Sequence, residues 1–257
     1  MTAVTYAFIT FVCTVTCAVL GTTIRSKLPE AHLNKESQDV IRLGMGLVAT
    51  MTALLLGLVT AAAKGSFDTQ DVAVKNAAAG IVSLDRLLAR YGPETQPSRA
   101  LLKKAVADRL ESMWPPNGAR PVDLDLTRHR SPDTLPAEQF ENQLLALSPQ
   151  TDTQRWLKSE ALKLTEETIR TRFRLLGSAT GAVPKMLLVV VIFWLSMTFA
   201  SFGLSAPRNA TVVTVLVISA LSVAAAVFLI LELDGPFEGL IRISSEPIRF
   251  ALANLGG

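Results

Sequence analysis

LGMGLVATMTALLLGLVTAAA, residues Leu43 to Ala63, is a run of about 21 residues without a charge. As a helix rising 1.5 Å per residue it crosses the ~30 Å hydrocarbon core of a bilayer. Arg42 and Lys64 bound it. Gly46, Thr50, Ala53, Gly57, Thr60 and Lys64 recur at steps of four and three, which places small and polar side chains on one line along a helix. Leu47, Met51, Leu54 and Leu58 make a large apolar line beside it. Either line suits a membrane. Whether the small one meets another helix or water is the question on which the function turns.

Outward from this run, the 257-residue chain is 49% hydrophobic and only 18% charged, against about 25% charged in soluble proteins. The deficit lies at the two ends. Thr2–Ile24, Met186–Ala206 and Ala210–Leu231 are three further apolar segments of spanning length. The first lacks a basic leader and exceeds a signal core, so it reads as a membrane helix. Its Thr10, Thr14, Thr16, Thr22 and Thr23 can bond back to their own helix. Cys13 and Cys17 lie one turn apart within it and lack further ligands nearby, so they read as small packing residues. The expected fold is all-α: a four-span transmembrane helical protein with an extramembrane helical module between the second and third spans. Residues 1–63 would hold the first two spans, 64–184 the module, 185–233 the last two spans, and 234–257 a C-terminal tail.

Residues 64–184 are too many for a plain connection. Asp71–Tyr91 carries Val74, Ala78, Ile81, Leu84 and Leu88 at helical spacing and ends at Gly92-Pro93. Ser98–Trp114 carries Leu101, Leu102, Ala105, Val106, Leu110 and Met113. Pro136–Leu147 and Asp152–Leu176 are two more helices. The last has Trp156, Leu157, Ala161, Leu164, Ile169, Phe173 and Leu176 as its core face. PPNGARPVDLDLTRHRSPDTLP reads as an exposed excursion containing His129; His32 sits in the loop between the first two spans. Pro207-Arg208-Asn209 is a tight turn that makes the last two spans a hairpin. The tail mixes Phe237, Leu240, Ile241, Ile248, Phe250 and Leu252 with Arg242 and Arg249, a composition suited to the membrane interface.

Four spans put both termini and the module on one side. Near the spans that side has Lys64, Lys75, Arg170, Arg172, Arg174, Lys185, Arg242 and Arg249, and the other has Arg25, Lys27, Lys35 and Arg208. Roughly eight against four predicts a multi-pass inner-membrane protein with its termini and module in the cytoplasm. The formal net charge of +3 is small, and its basic residues flank membrane segments, so no nucleic-acid partner is expected.

No enzyme constellation is present. The sequence has no Gly-rich phosphate loop, no HExxH, no Cys/His cluster and no GxSxG. Its two histidines are both in loops. No catalytic residue, cofactor or metal is expected. Glu232 and Asp234 end the fourth span on the side where Lys64 ends the second, and acids so near hydrocarbon want a partner. Lys64 with Glu232 or Asp234 is the pair to test, against the alternative that each reaches water by itself. The second span is the only one read as holding a sustained small and polar line. Close helix packing explains such a line; pore lining is the other reading. Threonine hydroxyls with flanking basic residues could pass anions, and the Met51, Leu54 and Leu58 line could gate by dewetting. One helix cannot enclose a pore, so conduction implies a symmetric ring of subunits.

The run RLGMGLVATMTALLLGLVTAAAKGSFD, the segment LDRLLARYGPET with Arg99 after it, and the end ELDGPFEGLIRISSEP together resemble the bestrophin-like bacterial membrane proteins. The resemblance extends from about Arg42 to Pro247. The family's name points to bestrophins, which are pentameric anion channels with four spans, cytoplasmic termini and a helical cytosolic region, their second span lining the neck. Carried over, this implies a homo-oligomeric ion channel, a pentamer in a lipid bilayer. Its candidate ions are small inorganic anions such as chloride. Gly46, Thr50, Ala53, Leu54, Gly57, Leu58, Thr60 and Lys64 are the pore-lining candidates. The second span here has no phenylalanine, unlike the aromatic neck of bestrophins, and no acidic cluster matches their calcium clasp. The alternative is a non-conducting scaffold or signalling protein acting through its helical module. A scaffold would bury the small line against helices of its own subunit; a channel needs it, or its neighbour, to face a central axis.

Overall fold

A computed structural model describes residues 3–27, 35–115, 134–178, 183–207, 209–237 and 239–256, without the side chains of 35–38, 134–138, 172–178 and 185. The described residues form α-helices joined by turns and bends, with one short 3-10 turn at Pro93–Thr95 and no strand. The helices are α1 (Ala3–Arg25), α2 (Lys35–Tyr91), α3 (Gln96–Met113), α4 (Thr134–Ala146), α5 (Asp152–Ser178), α6 (Lys185–Ser205), α7 (Ala210–Asp234) and α8 (Glu246–Ala253). By length and composition α1, α2, α6 and α7 can each cross a membrane. His32, His129, Arg208 and most of the proline-rich excursion lie outside the described residues.

The helix does not stop near Ala63, where the second span is expected to end. α2 runs for 57 residues without interruption through the segment KGSFD to Tyr91. That segment has Gly65 but no proline, and a lone glycine costs a helix only about 1 kcal/mol. The amphipathic stretch on its far side supplies enough burial to keep the chain helical.

The chain divides into two compact units, Met1–Ser66 with Gly181–Gly235, and Phe67–Thr180 with Pro236–Gly257; α2 contributes to both. In the first unit α1 packs along α6 and α7. Thr10, Thr14, Ala18 and Gly21 of α1 are buried, spaced four, four and three apart on one face. Ala18 packs with Phe199 of α6 and Ala220 of α7. A Cβ placed on Gly21 would lie 2.1 Å from the Ala200 carbonyl oxygen, and one on Gly203 would lie 2.0 Å from that of Ala18. The backbones of α1 and α6 therefore touch, which only glycine permits. So α2 is not alone in carrying a small and polar line, and the helix that uses such a line for packing is α1. Thr10 and Thr14 donate to the carbonyls of Tyr6 and Thr10 at 2.8 and 2.9 Å, so burying them leaves no donor unsatisfied. Arg25 donates to the Ala206 carbonyl at 2.6 Å, closing the C-terminal end of α6. The Asn209 side chain accepts from the Val212 amide at 2.8 Å and starts α7.

In the second unit the apolar face of α2 is the one its spacing predicts. Val74, Ala78, Ile81, Leu84 and Leu88 are all buried. The first three form a core with Val106 of α3 and with Ile243, Ile248, Ala251 and Leu255. The last two join Phe140 and Leu144 of α4 and Ala161 of α5. The tail thus supplies core residues; Leu240 and Phe250 are its exposed large apolar side chains. The Trp114 indole N–H donates to the Ile243 carbonyl at 2.9 Å, and its ring meets Phe237 edge-on at 5.6 Å. On α5, Leu157 and Ala161 are buried as expected, but Trp156 is 56% exposed. Trp156 is one residue, or about 100°, around the helix from Leu157, which places it off the buried stripe.

Candidate functional site

The surface of α2 in the first unit divides cleanly. Thr52, Val59 and Ala63 are buried, and Ile41, Val48, Ala49, Leu55 and Leu56 are half-buried on the same side. The opposite arc is open. Gly46, Thr50, Ala53, Gly57 and Lys64 are exposed and Thr60 is half-buried. Leu43, Leu47, Met51, Leu54 and Leu58 are exposed as well. A Cβ added at Gly44, Gly46 or Gly57 would meet nothing within 4 Å, in contrast with Gly21 and Gly203. Among the described residues the small line of α2 therefore does not pack against another helix of its own subunit.

The hydroxyls on this arc point inward. Thr50 donates to the Gly46 carbonyl at 2.9 Å and Thr60 to that of Leu56 at 2.7 Å. What each presents to the outside is an oxygen lone pair and a methyl group. The open arc is then a strip of glycine, alanine and threonine beside a strip of leucine and methionine. It has no ionisable side chain between Arg42 and Lys64. Such a surface can meet lipid, a second copy of the helix, or a narrow column of water. Between Arg42 and Lys64 it offers no side chain for acid–base chemistry.

The three residues proposed for a charge pair differ in setting. Lys64 is exposed and Glu232 is buried. Asp234 accepts from the Val183 amide at 3.1 Å, which ties the end of α7 to the residue just before Pro184 and α6. Cys13 and Cys17 are half-buried free thiols on α1.

A densely bonded polar group lies in the second unit, within the segment LDRLLARYGPET. Asp85, buried on α2, receives two hydrogen bonds from Arg99 of α3, at 2.8 and 2.9 Å. It also accepts from the Gly256 amide at 3.3 Å. The Arg99 hydrogen bonds hold the Asp85 carboxyl below the usual carboxylate range, and Asp85 in turn raises Arg99 above its own. Between them the chain reverses at Gly92, whose φ of 143° is open only to glycine. Thr95 closes the turn by donating to the Leu88 and Gly92 carbonyls at 2.6 and 2.8 Å. The motif is a corner that joins α2 to α3 and anchors the tail. Sequence spacing did not reveal the Asp85–Arg99 pair, because its members lie on different helices, 14 residues apart.

A family model described as a Bestrophin-like domain matches residues 12–248. Two crystal structures of point mutants of a bacterial bestrophin homologue from Klebsiella pneumoniae superpose on the chain with TM-scores of 0.62 and 0.63, at 15% identity. The overlap covers 96% and 97% of this chain and 97% of each of theirs. A crystal structure of a membrane protein superposes with a TM-score of 0.65 at 16% identity, covering 96% of both chains. At these identities the likeness is one of fold. No curated protein sequence matches the chain.

Proposed function

The chain belongs to the bestrophin-like family, and from that premise we propose that it forms a homo-oligomeric ion channel in the inner membrane with α2 lining the pore. The observation that carries the proposal is the open arc of α2. A Cβ added at its glycines would meet nothing within 4 Å among the described residues, whereas the scaffold reading requires them buried in their own subunit. A single helix encloses nothing, so the arc becomes a pore wall only when copies are arranged about an axis, five of them if the bestrophin resemblance holds. Leu47, Met51, Leu54 and Leu58, all exposed, would then supply a hydrophobic constriction that conducts when wetted. The excess of basic residues beside the spans supports a cytoplasmic position for the termini and the second unit.

Anions are the candidate ions because Arg42 and Lys64 flank the uncharged stretch. The threonine lone pairs would attract cations. A full charge outreaches a hydroxyl dipole, so chloride is expected to carry the larger share of current. Purified protein in planar bilayers tests the reading. A current is expected, with a reversal potential that follows the chloride gradient. Absence of current across salts and pH would overturn the channel proposal, and a reversal potential that follows the cation gradient would overturn its anion part alone.

A further inference from the structure

The helices of the second unit leave a space between them. Among the described residues α2, α3, α4, α5 and α8 line a cavity of about 250 Å³. Ala105 and Trp114 are part of its mostly apolar wall. Protein interiors leave few voids larger than a water molecule, and a dry apolar cavity of about 150 Å³ is large enough to take up benzene. By that scale this one holds an apolar body of about ten heavy atoms.

The polar groups on the wall are Asp108, Arg109, Trp114, Thr165, Thr168 and Thr171. Thr165 and Thr168 donate their hydroxyl protons to the carbonyls of Ala161 and Leu164, at 2.8 and 2.7 Å, so they can offer only lone pairs to a ligand. The Trp114 indole N–H is taken by the Ile243 carbonyl. Arg109, the one basic side chain on the wall, has a contact of its own. Asp108 is exposed at the rim, and its carboxylate has no ion pair or hydrogen bond among the described residues. An anionic ligand would meet the Asp108 carboxylate and two hydroxyls that have no proton to give, with Arg109 already engaged. A protonated amine would meet a carboxylate.

We propose that this cavity binds a small amphiphilic amine, its aromatic or aliphatic body among the helices and its ammonium group against Asp108. The site lies wholly in the second unit and does not depend on the protein being a channel. Phenethylamine and phenylpropionate, close in size and opposite in charge, are suitable probes. In full-length protein carrying Trp156→Phe and Trp194→Phe, Trp114 alone reports by its fluorescence. Phenethylamine should change its emission saturably, with an affinity at least about tenfold above that of phenylpropionate. Asp108→Asn, a change at an exposed position, should remove about tenfold of the amine affinity and leave phenylpropionate unaffected. Ala105→Phe should fill the space and abolish both responses. A response that rises linearly without saturating overturns the proposal, as does equal affinity for the two probes. So does a saturable response that Asp108→Asn leaves unchanged, whether or not Ala105→Phe folds.

Discussion

Asp85 and Arg99 are the two residues whose removal should be felt most in the second unit. Their side chains are 5% and 17% exposed, so truncating one strands the other with its charge in a desolvated place. Arg99→Ala is expected to cost about 3–5 kcal/mol, read as a fall in thermal midpoint. The pair also sets an acid limit. The folded pKa of Asp85 lies below its unfolded value. The stabilisation is therefore complete above about pH 4, the ordinary carboxylate range, and is lost as pH falls through the folded pKa. Asp85→Asn should be less stable than wild type at neutral pH and should show a flatter loss of stability below about pH 4. Two parallel acid melts would show a common slope if the pair did not contribute.

The same residue scale separates the glycines. Gly203→Ala drives a methyl group into the Ala18 carbonyl, a backbone atom that can move only if α1 moves. A loss of about 1–3 kcal/mol or more is expected. Gly57→Ala meets nothing and should gain up to about 1 kcal/mol of helix propensity. Melting the two variants in detergent checks this contrast, and equal losses would contradict the assignment of the open arc.

At the scale of the element, α2 is one helix with three different faces along its length. In the first unit it turns Thr52, Val59 and Ala63 inward and leaves the small line open. In the second it buries Val74 to Leu88 at helical spacing. If the open arc faces a pore, bulk added to the small line should narrow it and bulk removed from the large line should widen it. Thr50→Leu is expected to lower single-channel conductance and Leu54→Ala to raise it. Conductances unchanged in both variants would move the pore elsewhere. Both positions are exposed, so neither variant should alter the stability of the subunit by more than about 0.5 kcal/mol.

At the scale of the whole molecule the expectation is a closed ring of identical subunits with α2 nearest its axis, visible as particle symmetry in detergent. Lys64→Ala tests the edge of that assembly. Should Lys64 pair with Glu232 or Asp234, the variant ring should dissociate at lower temperature or detergent concentration than wild type. A ring of undiminished stability would dismiss the pair.

Much of this fold is legible along the chain. Four apolar runs of spanning length, the absence of strand alternation, and the helix break at Gly92-Pro93 follow from local composition. So does the buried face of α2 from Val74 to Leu88, because period and polarity change together there. Partners are not legible. Thr10, Thr14, Ala18 and Gly21 on α1 and Gly46, Thr50, Ala53 and Gly57 on α2 are similar small-residue lines. The first meets the backbone of α6, and among the described residues the second meets no helix of its own subunit. Spacing states which side chains share a face, but lipid, protein and a pore wall all accept an apolar face, so spacing cannot state what lies opposite. The tail shows the same limit: a mixture of arginine and large apolar residues suits a membrane surface and a protein core alike. The sequence by itself determined the helices and which faces are uniform. Only the tertiary structure decided that the small line of α1 is filled and that of α2 is open, because that depends on backbones far apart in the chain coming within touching distance.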